Sequence, residues 1–177
     1  MTSKARSSDR ILGSLRSKDG GGIARMEERF DASVDDVWSA LTEPRRLAAW
    51  YGEVEGDLRV GGEFHVRHAG GERAGRVDPC EPPQHLRVTL RDPDAKPGQP
   101  EQVVMETELT AADGQTILVV EARGLPLPLL AAYGVGVQIH VENLADHISG
   151  RESSDEEERW EKLFPPYEAL AAVIVPE

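Results

Sequence analysis

The sequence contains a single cysteine, Cys80, among its 177 residues. One cysteine excludes an internal disulfide and a thiolate metal cage, and it predicts a reducing compartment. No segment approaches the ~20 consecutive apolar residues that a transmembrane helix requires, so we expect no membrane span. The first 22 residues lack the apolar core of a secretory signal, and we therefore expect a cytoplasmic protein.

Basic residues are scarce, because 20 Lys and Arg stand against 32 Asp and Glu and give a net charge of −12. Proteins that bind nucleic acids need clustered Lys and Arg to contact phosphates, so this balance argues against a nucleic-acid partner. The sequence also lacks the Gly-x-Ser-x-Gly, P-loop and Gly-x-Gly-x-x-Gly signatures of nucleophilic or nucleotide chemistry. We therefore predict no catalytic residue and no cofactor.

Composition divides the chain into one folded domain and two flanking segments. Residues 1–22 are rich in Ser, Arg and Gly and end in three glycines, which predicts a disordered basic tail. Residues 23–150 carry regular hydrophobic patterns and are predicted to form the domain. Residues 151–177 combine an acidic run with aromatic residues and are predicted to be an accessory C-terminal extension that packs back on the domain. Pro165 and Pro166 predict a break in the helix of this extension.

The hydrophobic patterns of the domain predict an α+β fold. A strand is expected from Ile23 to Phe30, and two short helices are expected to begin near Ser33 and Pro44. Alternating segments then predict an antiparallel strand meander over residues 53–123. A helix with apolar groups from Val137 to Ile148 follows, and it is the natural cover for the buried face of the sheet.

Three segments resemble known proteins: Phe30–Trp50, Val60–Val66 and Gly136–Ile148. They resemble the SRPBCC (START-like) superfamily, and within it the bacterial relatives of the activator of the ninety-kilodalton heat-shock protein ATPase. The resemblance covers residues 23–150 and implies the helix-grip fold, a curved antiparallel sheet wrapped around a long C-terminal helix. Val137 stands where this family often has Trp, and Val141 stands where it often has Leu.

A sheet that wraps around one helix often leaves a cavity between them, and such a cavity suits an apolar ligand. The leading hypothesis is therefore non-enzymatic binding of a small hydrophobic molecule. For the aromatic groups and the methionine, ordinary core packing is the alternative. The predicted cavity residues are Trp38, Trp50, Tyr51, Phe64, Val66, Leu86, Val88, Met105, Tyr133, Val137, His140, Val141 and Leu144.

His140 has two interpretations, either a polar group inside the cavity or a helix histidine that bonds to the backbone or faces water. No metal site is predicted, because His140 and His147 lack a third ligand at helical spacing. His65 and His68 point to opposite faces of a strand and cannot chelate one ion.

Two further functions remain open. An enzyme similar to polyketide cyclases or dehydratases would need an acid–base pair in the cavity, for example His140 with Glu106. Strand parity places Glu106 opposite Met105, which weakens this hypothesis. A protein-interaction or co-chaperone-like module is the other alternative. If Trp160, Phe164 and Tyr167 are not packed on the domain, they would form the surface for a homodimer or a protein partner.

Overall fold

The computed structural model describes residues 10–69 and 71–176, and it contains one eight-stranded antiparallel sheet in the order β1-β2-β8-β7-β6-β5-β4-β3. The strands are β1 (Gly13–Lys18), β2 (Gly21–Phe30), β3 (Glu53–Gly56), β4 (Glu63–His68), β5 (Gly71–Val77), β6 (His85–Arg91), β7 (Gln102–Ala112) and β8 (Gln115–Leu125). The helices are α1 (Val34–Thr42), α2 (Pro44–Trp50), α3 (Leu130–Ile148) and α4 (Glu156–Ala172), and a short 3-10 helix (Leu127–Leu129) precedes α3.

The two short helices form where the sequence predicts them. The Ser33 side chain accepts a hydrogen bond from the Asp36 N–H at the start of α1, and Asp35 and Asp36 place negative charge at the positive helix end. Pro44 occupies the first turn of α2, where its missing N–H costs nothing.

Helix α3 lies on one half of the sheet, over β1, β2 and β8. The predicted apolar stripe is buried at Val137, Val141 and Leu144. A curved antiparallel sheet closed by one long helix is the helix-grip arrangement, and the predicted fold class is therefore confirmed.

Part of the predicted disordered tail is in fact folded, so the prediction that structure begins near Ile23 is wrong. Strand β1 pairs with β2 through a tight turn at Asp19 and Gly20, which both have positive φ, at 52° and 80°. Leu15 from β1 is buried in the core. Asp-Gly is a favoured hairpin turn, and burial of Leu15 stabilises a strand that composition alone predicted to be a linker. Residues 1–9 of the predicted tail lie outside the described residues.

The C-terminal extension forms a single helix, α4. Its first turn is capped by Asp155, whose side chain accepts from the Glu158 N–H at 2.8 Å. Pro165 and Pro166 lie inside this helix, although the sequence predicted a break there. Packing against α3 offsets the backbone hydrogen bonds that the prolines remove. Among the described residues, no helix is long and apolar enough to cross a membrane.

Candidate ligand-binding site

The inner face of the sheet carries two separate hydrophobic clusters. The main cluster lies under α3 and contains fully buried side chains such as Met26 and Leu118. The second cluster lies over β4 and β5 and is centred on Phe64, Val66 and Val77. The core of the domain is therefore divided, and the boundary runs along the inner faces of β6 and β7.

At this boundary the apolar side chains remain partly exposed. Val88 pairs with Met105 across β6 and β7, and Leu90 pairs with Val103, yet none of the four is buried. By contrast, Ala122 on neighbouring β8 is fully buried. We call the partly exposed inner surface formed by Val88, Leu90, Val103 and Met105 the trough. Helix α3 does not cover this apolar surface.

Tyr133 and Gly136 share the face of α3 that carries His140, and the first has a large side chain while the second has none. Tyr133 is partly buried, and Gly136 follows it one helical turn later. A Cβ at Gly136 would meet no heavy atom within 4 Å. By contrast, a Cβ at Gly134 would lie 2.8 Å from Tyr167 Cδ1. The helix therefore presents open space at Gly136 and tight packing at Gly134.

Three rings meet at the end of the trough near α2. The Tyr51 and His140 ring centroids are 4.9 Å apart, with an angle of 64° between the ring planes. The His68 centroid lies 5.6 Å from that of Tyr51 and 5.8 Å from that of His140. We call Tyr51, His68 and His140 the ring cluster. It joins α2, β4 and α3, three elements that are distant in sequence.

A charged pair lies on the same inner face beside the ring cluster. Arg73 Nη1 is 3.2 Å from Asp92 Oδ2, and both side chains are largely buried. Arg73 pairs with Val66 across β4 and β5, so its side chain points inward. Sequence patterns did not single out Arg73 or Asp92 as site residues. Alternation along β5 with Gly75 and Val77 was the signal that could have placed Arg73 on the inner face.

Burial, with a smaller contribution from the charge of protonated His68, lowers the pKa of His140 to about 4. The Nδ1 atom of His140 is buried and has no hydrogen-bond partner among the described residues. Burial also lowers the pKa of His68. Both imidazoles are therefore neutral at neutral pH, and Arg73 and Asp92 carry the charge at this end of the trough.

We expect the free energy of unfolding to fall as the pH drops from about 6.5 towards about 4. In this range the unfolded chain binds a proton at residue 140 that the folded chain does not, so acidification favours unfolding. His68 and His147, whose pKa values are also lowered, contribute in the same direction. Urea denaturation at both pH values measures the change. A His140→Phe variant should lose less stability than the parent, and an equal loss would contradict the assignment.

The structure distributes the predicted cavity residues over several environments. Val88 and Met105 form part of the trough, Tyr133 is partly buried on α3, and Leu86 is partly buried on the same face of β6 as Val88. Tyr51 and His140 belong to the ring cluster. The remaining apolar residues belong to the two hydrophobic clusters. The second cluster buries Phe64 and Val66. The main cluster buries Val137, Val141 and Leu144, and Trp38 and Trp50 pack against it.

An open groove adjoins the ring cluster. It has a volume of about 500 Å³, and Trp50, Tyr51 and His68 form part of its wall. The indole N–H of Trp50 donates to the Ala40 carbonyl at 2.9 Å, which fixes the ring at the groove. Tyr51 and His68 therefore belong both to the ring cluster and to the wall of this groove.

The structure does not form the acid–base pair that an enzyme would need from His140 and Glu106. Glu106 lies on the outer face of the sheet, where its carboxylate is 2.9 Å from His85 Nε2 and 3.2 Å from Arg123 Nη2. The parity prediction for Glu106 is thus confirmed. Among the described residues, no three His, Cys, Asp or Glu side chains are grouped so that they could hold a metal ion.

The predicted partner surface is only partly available. Tyr167 is fully buried against α3, so its assignment to a surface for a homodimer or protein partner is wrong. Trp160 and Phe164 stack with their centroids 6.0 Å apart, and Trp160 is 40% exposed. For these two residues the partner surface stays a prediction.

Comparison with known proteins identifies relatives of this fold. The family model for Activator of Hsp90 ATPase homolog 1-like proteins matches residues 31–149. The chain is similar to the crystal structure of CalU16 from Micromonospora echinospora, with 28% identity, a TM-score of 0.73, and coverage of 90% of this chain and 96% of that chain. The solution structure of CalU16 gives the same identity and TM-score, with coverage of 96% and 97%.

A further similar structure is DynU16, a protein in the dynemicin biosynthetic locus. It is 26% identical with a TM-score of 0.67, and the match covers 78% of this chain and 51% of DynU16. The comparison with curated proteins returned no match.

Proposed function

Because this chain belongs to the family of Activator of Hsp90 ATPase homolog 1-like proteins and has the SRPBCC helix-grip fold, we propose that it binds a small hydrophobic molecule in the trough without catalysing a reaction. One observation carries the proposal. Four apolar side chains on the inner face of the sheet, Val88, Leu90, Val103 and Met105, remain partly exposed although they lie inside the grip.

Burial of this apolar surface would supply the binding free energy. Removing apolar area from water is worth about 25 cal/mol per Å², against which the ligand loses translational and rotational freedom. Met105 suits such a surface because its flexible thioether adapts to different shapes. His140 or Tyr133 would fix the orientation of the ligand. The match to DynU16, from a biosynthetic locus, supports a small-molecule setting.

The test uses the open space at Gly136. We expect tetralin, a bicyclic hydrocarbon, to bind the full-length protein saturably with one molecule per chain. A Gly136→Leu variant places a side chain over the trough and should weaken this binding about 10-fold or more. Replacing a helical glycine also stabilises α3 by about 0.5–1 kcal/mol, so lost binding would not reflect lost folding.

Titrations followed by nuclear magnetic resonance measure the affinity and show which residues respond. Gly136→Ala is the matched control, because it makes the same change to the helix backbone but adds only one methyl group. We expect it to bind tetralin within about 2-fold of the parent. If tetralin does not bind the parent saturably, or if Gly136→Leu binds it equally well, the proposed function is wrong.

A further inference from the structure

Arg73 is an unexpected residue on the inner face of the sheet. Its neighbours on the same face of β5, Gly75 and Val77, are buried, and a Cβ at Gly75 would lie only 2.2 Å from Phe64 Cζ. A charged side chain beside apolar residues pays a desolvation cost and requires polar partners. The Arg73 and Asp92 side chains are 26% and 18% exposed, so water screens this pair only in part.

The polar contacts of Arg73 use only part of its guanidinium. Nη1 donates to the Glu72 carbonyl at 2.8 Å and lies 3.2 Å from the Asp92 carboxylate. A guanidinium has five N–H donors in a planar fork. Among the residues that the structure describes, neither Nε nor Nη2 of Arg73 has an acceptor. Nε and Nη2 therefore remain available as donors to a ligand.

Arg73 neighbours His68 on the inner face of the sheet, because it pairs with Val66, two residues before His68 on β4. Burial is the main influence on the pKa values of Tyr51, Tyr133 and His68, and the charge of Arg73 is the second influence on each of them. Tyr51 and His68 belong to the ring cluster. Arg73 is thus placed where the apolar trough ends and the ring cluster begins.

We propose that Arg73 donates a hydrogen bond to the carbonyl oxygen of a hydrophobic ligand whose apolar part occupies the trough. This inference rests on the proposed function and names the chemical class of its ligand. A hydrocarbon without an acceptor would leave the Arg73 donors unpaired when water is displaced, which is costly. An amine would be repelled by Arg73. A carboxylate would bring a second negative charge beside Asp92, so a neutral carbonyl fits the pair best.

Three probes with the same bicyclic body separate these possibilities: tetralin, tetralone and tetralin carboxylate. We expect the full-length protein to bind tetralone about 10-fold more tightly than tetralin, since hydrogen bonds to charged groups are among the stronger ones. Tetralin carboxylate should bind more weakly than tetralone. The infrared carbonyl band of bound tetralone should lie at lower frequency than in an apolar solvent, because a donated hydrogen bond weakens the C=O bond.

The variant Arg73→Met/Asp92→Leu removes both charges together, so that no buried carboxylate is left without a partner. We expect it to bind tetralin and tetralone equally and to lose the infrared shift. Arg73→Lys keeps a charged donor and should retain part of the preference for tetralone. Arg91→Met is the control, because Arg91 is exposed and lies one residue before Asp92 on the opposite face of β6. It should bind all three probes like the parent.

The outcomes distinguish this inference from the proposed function. If tetralin does not bind the parent saturably, the proposed function fails and the inference, which rests on it, fails with it. If tetralin binds but tetralone has no advantage over it, or if tetralone keeps its advantage in the double variant, the role of Arg73 is overturned while the trough remains a binding site. An unshifted carbonyl band of tetralone bound to the parent also overturns it. If the carboxylate binds most tightly, Arg73 recognises an anion and the assignment to a carbonyl is wrong.

Discussion

Replacing Arg159 by methionine is expected to lower the free energy of unfolding by about 3–5 kcal/mol. Arg159 on α4 donates to both carboxylate oxygens of Glu142 on α3, from Nε at 2.9 Å and from Nη2 at 2.7 Å. The two side chains are only 7% and 9% exposed. Removal of the guanidinium takes two charge-assisted hydrogen bonds away from the buried Glu142 carboxylate, and the desolvation of that carboxylate is then offset less, which is the main cost.

Urea and thermal denaturation measure this loss. For a chain of this length, 1 kcal/mol corresponds to about 2–4 °C, so the melting temperature should fall by about 10 °C. The double variant Glu142→Leu/Arg159→Met removes both charges and should recover most of the stability. Lys162→Met is the matched control, because the Lys162–Glu158 pair on the same helix is exposed and should contribute less than about 1 kcal/mol. If Arg159→Met lost less than about 1 kcal/mol of unfolding free energy, the buried pair would contribute no more than an exposed one, contrary to this prediction.

Replacing Tyr167 by alanine is expected to cost about 3–5 kcal/mol, the range for truncation of a buried aromatic side chain. Tyr167 is fully buried, and its hydroxyl donates to Gln138 on α3. Its ring fills the space beside Gly134 and Gly13, where Cβ atoms would lie within 2.8 Å of Tyr167 atoms. The variant would leave a cavity bordered by α4, α3 and β1.

Two controls separate the contributions of Tyr167. Tyr167→Phe keeps the ring and removes the hydroxyl, and it should cost about 1 kcal/mol. Trp160→Ala removes an exposed aromatic group from the same helix and should change the stability much less. Urea denaturation followed by circular dichroism gives all three values. If Tyr167→Ala were as stable as Trp160→Ala, α4 would be an appendage and would not belong to the core.

The local elements could be predicted because their signals lie within short segments of the chain. Ser33 with Asp35 and Asp36 marks a helix start, and Pro44 marks another. Alternation in β6 and β7 shows which side chains share a face. Two local predictions were wrong because competing signals were present. Three glycines indicated a linker, although Asp19 and Gly20 form a hairpin turn. Pro165 and Pro166 indicated a helix break, although α4 continues through them.

The candidate site could be predicted only in part. Tyr51 and His140 were named as pocket residues, but their contact at 4.9 Å depends on how α2 and α3 meet. Arg73 and Asp92 escaped notice because an ion pair between neighbouring strands depends on their register. An arginine in a strand is ordinarily a surface residue. No local pattern shows that the Asp92 carboxylate lies beside Arg73 on the inner face.

The sequence by itself determined which face of each strand and helix is apolar, since periodicity is a property of consecutive residues. It also determined the family, through motifs within residues 31–149. Only the tertiary structure decided what covers each apolar face. Helix α3 buries the half of the sheet at β2 and β8 and leaves Val88 and Met105 partly exposed. The side chain of Tyr167 is completely buried. These outcomes depend on contacts between distant segments, where the relative position of whole elements decides which side chains meet.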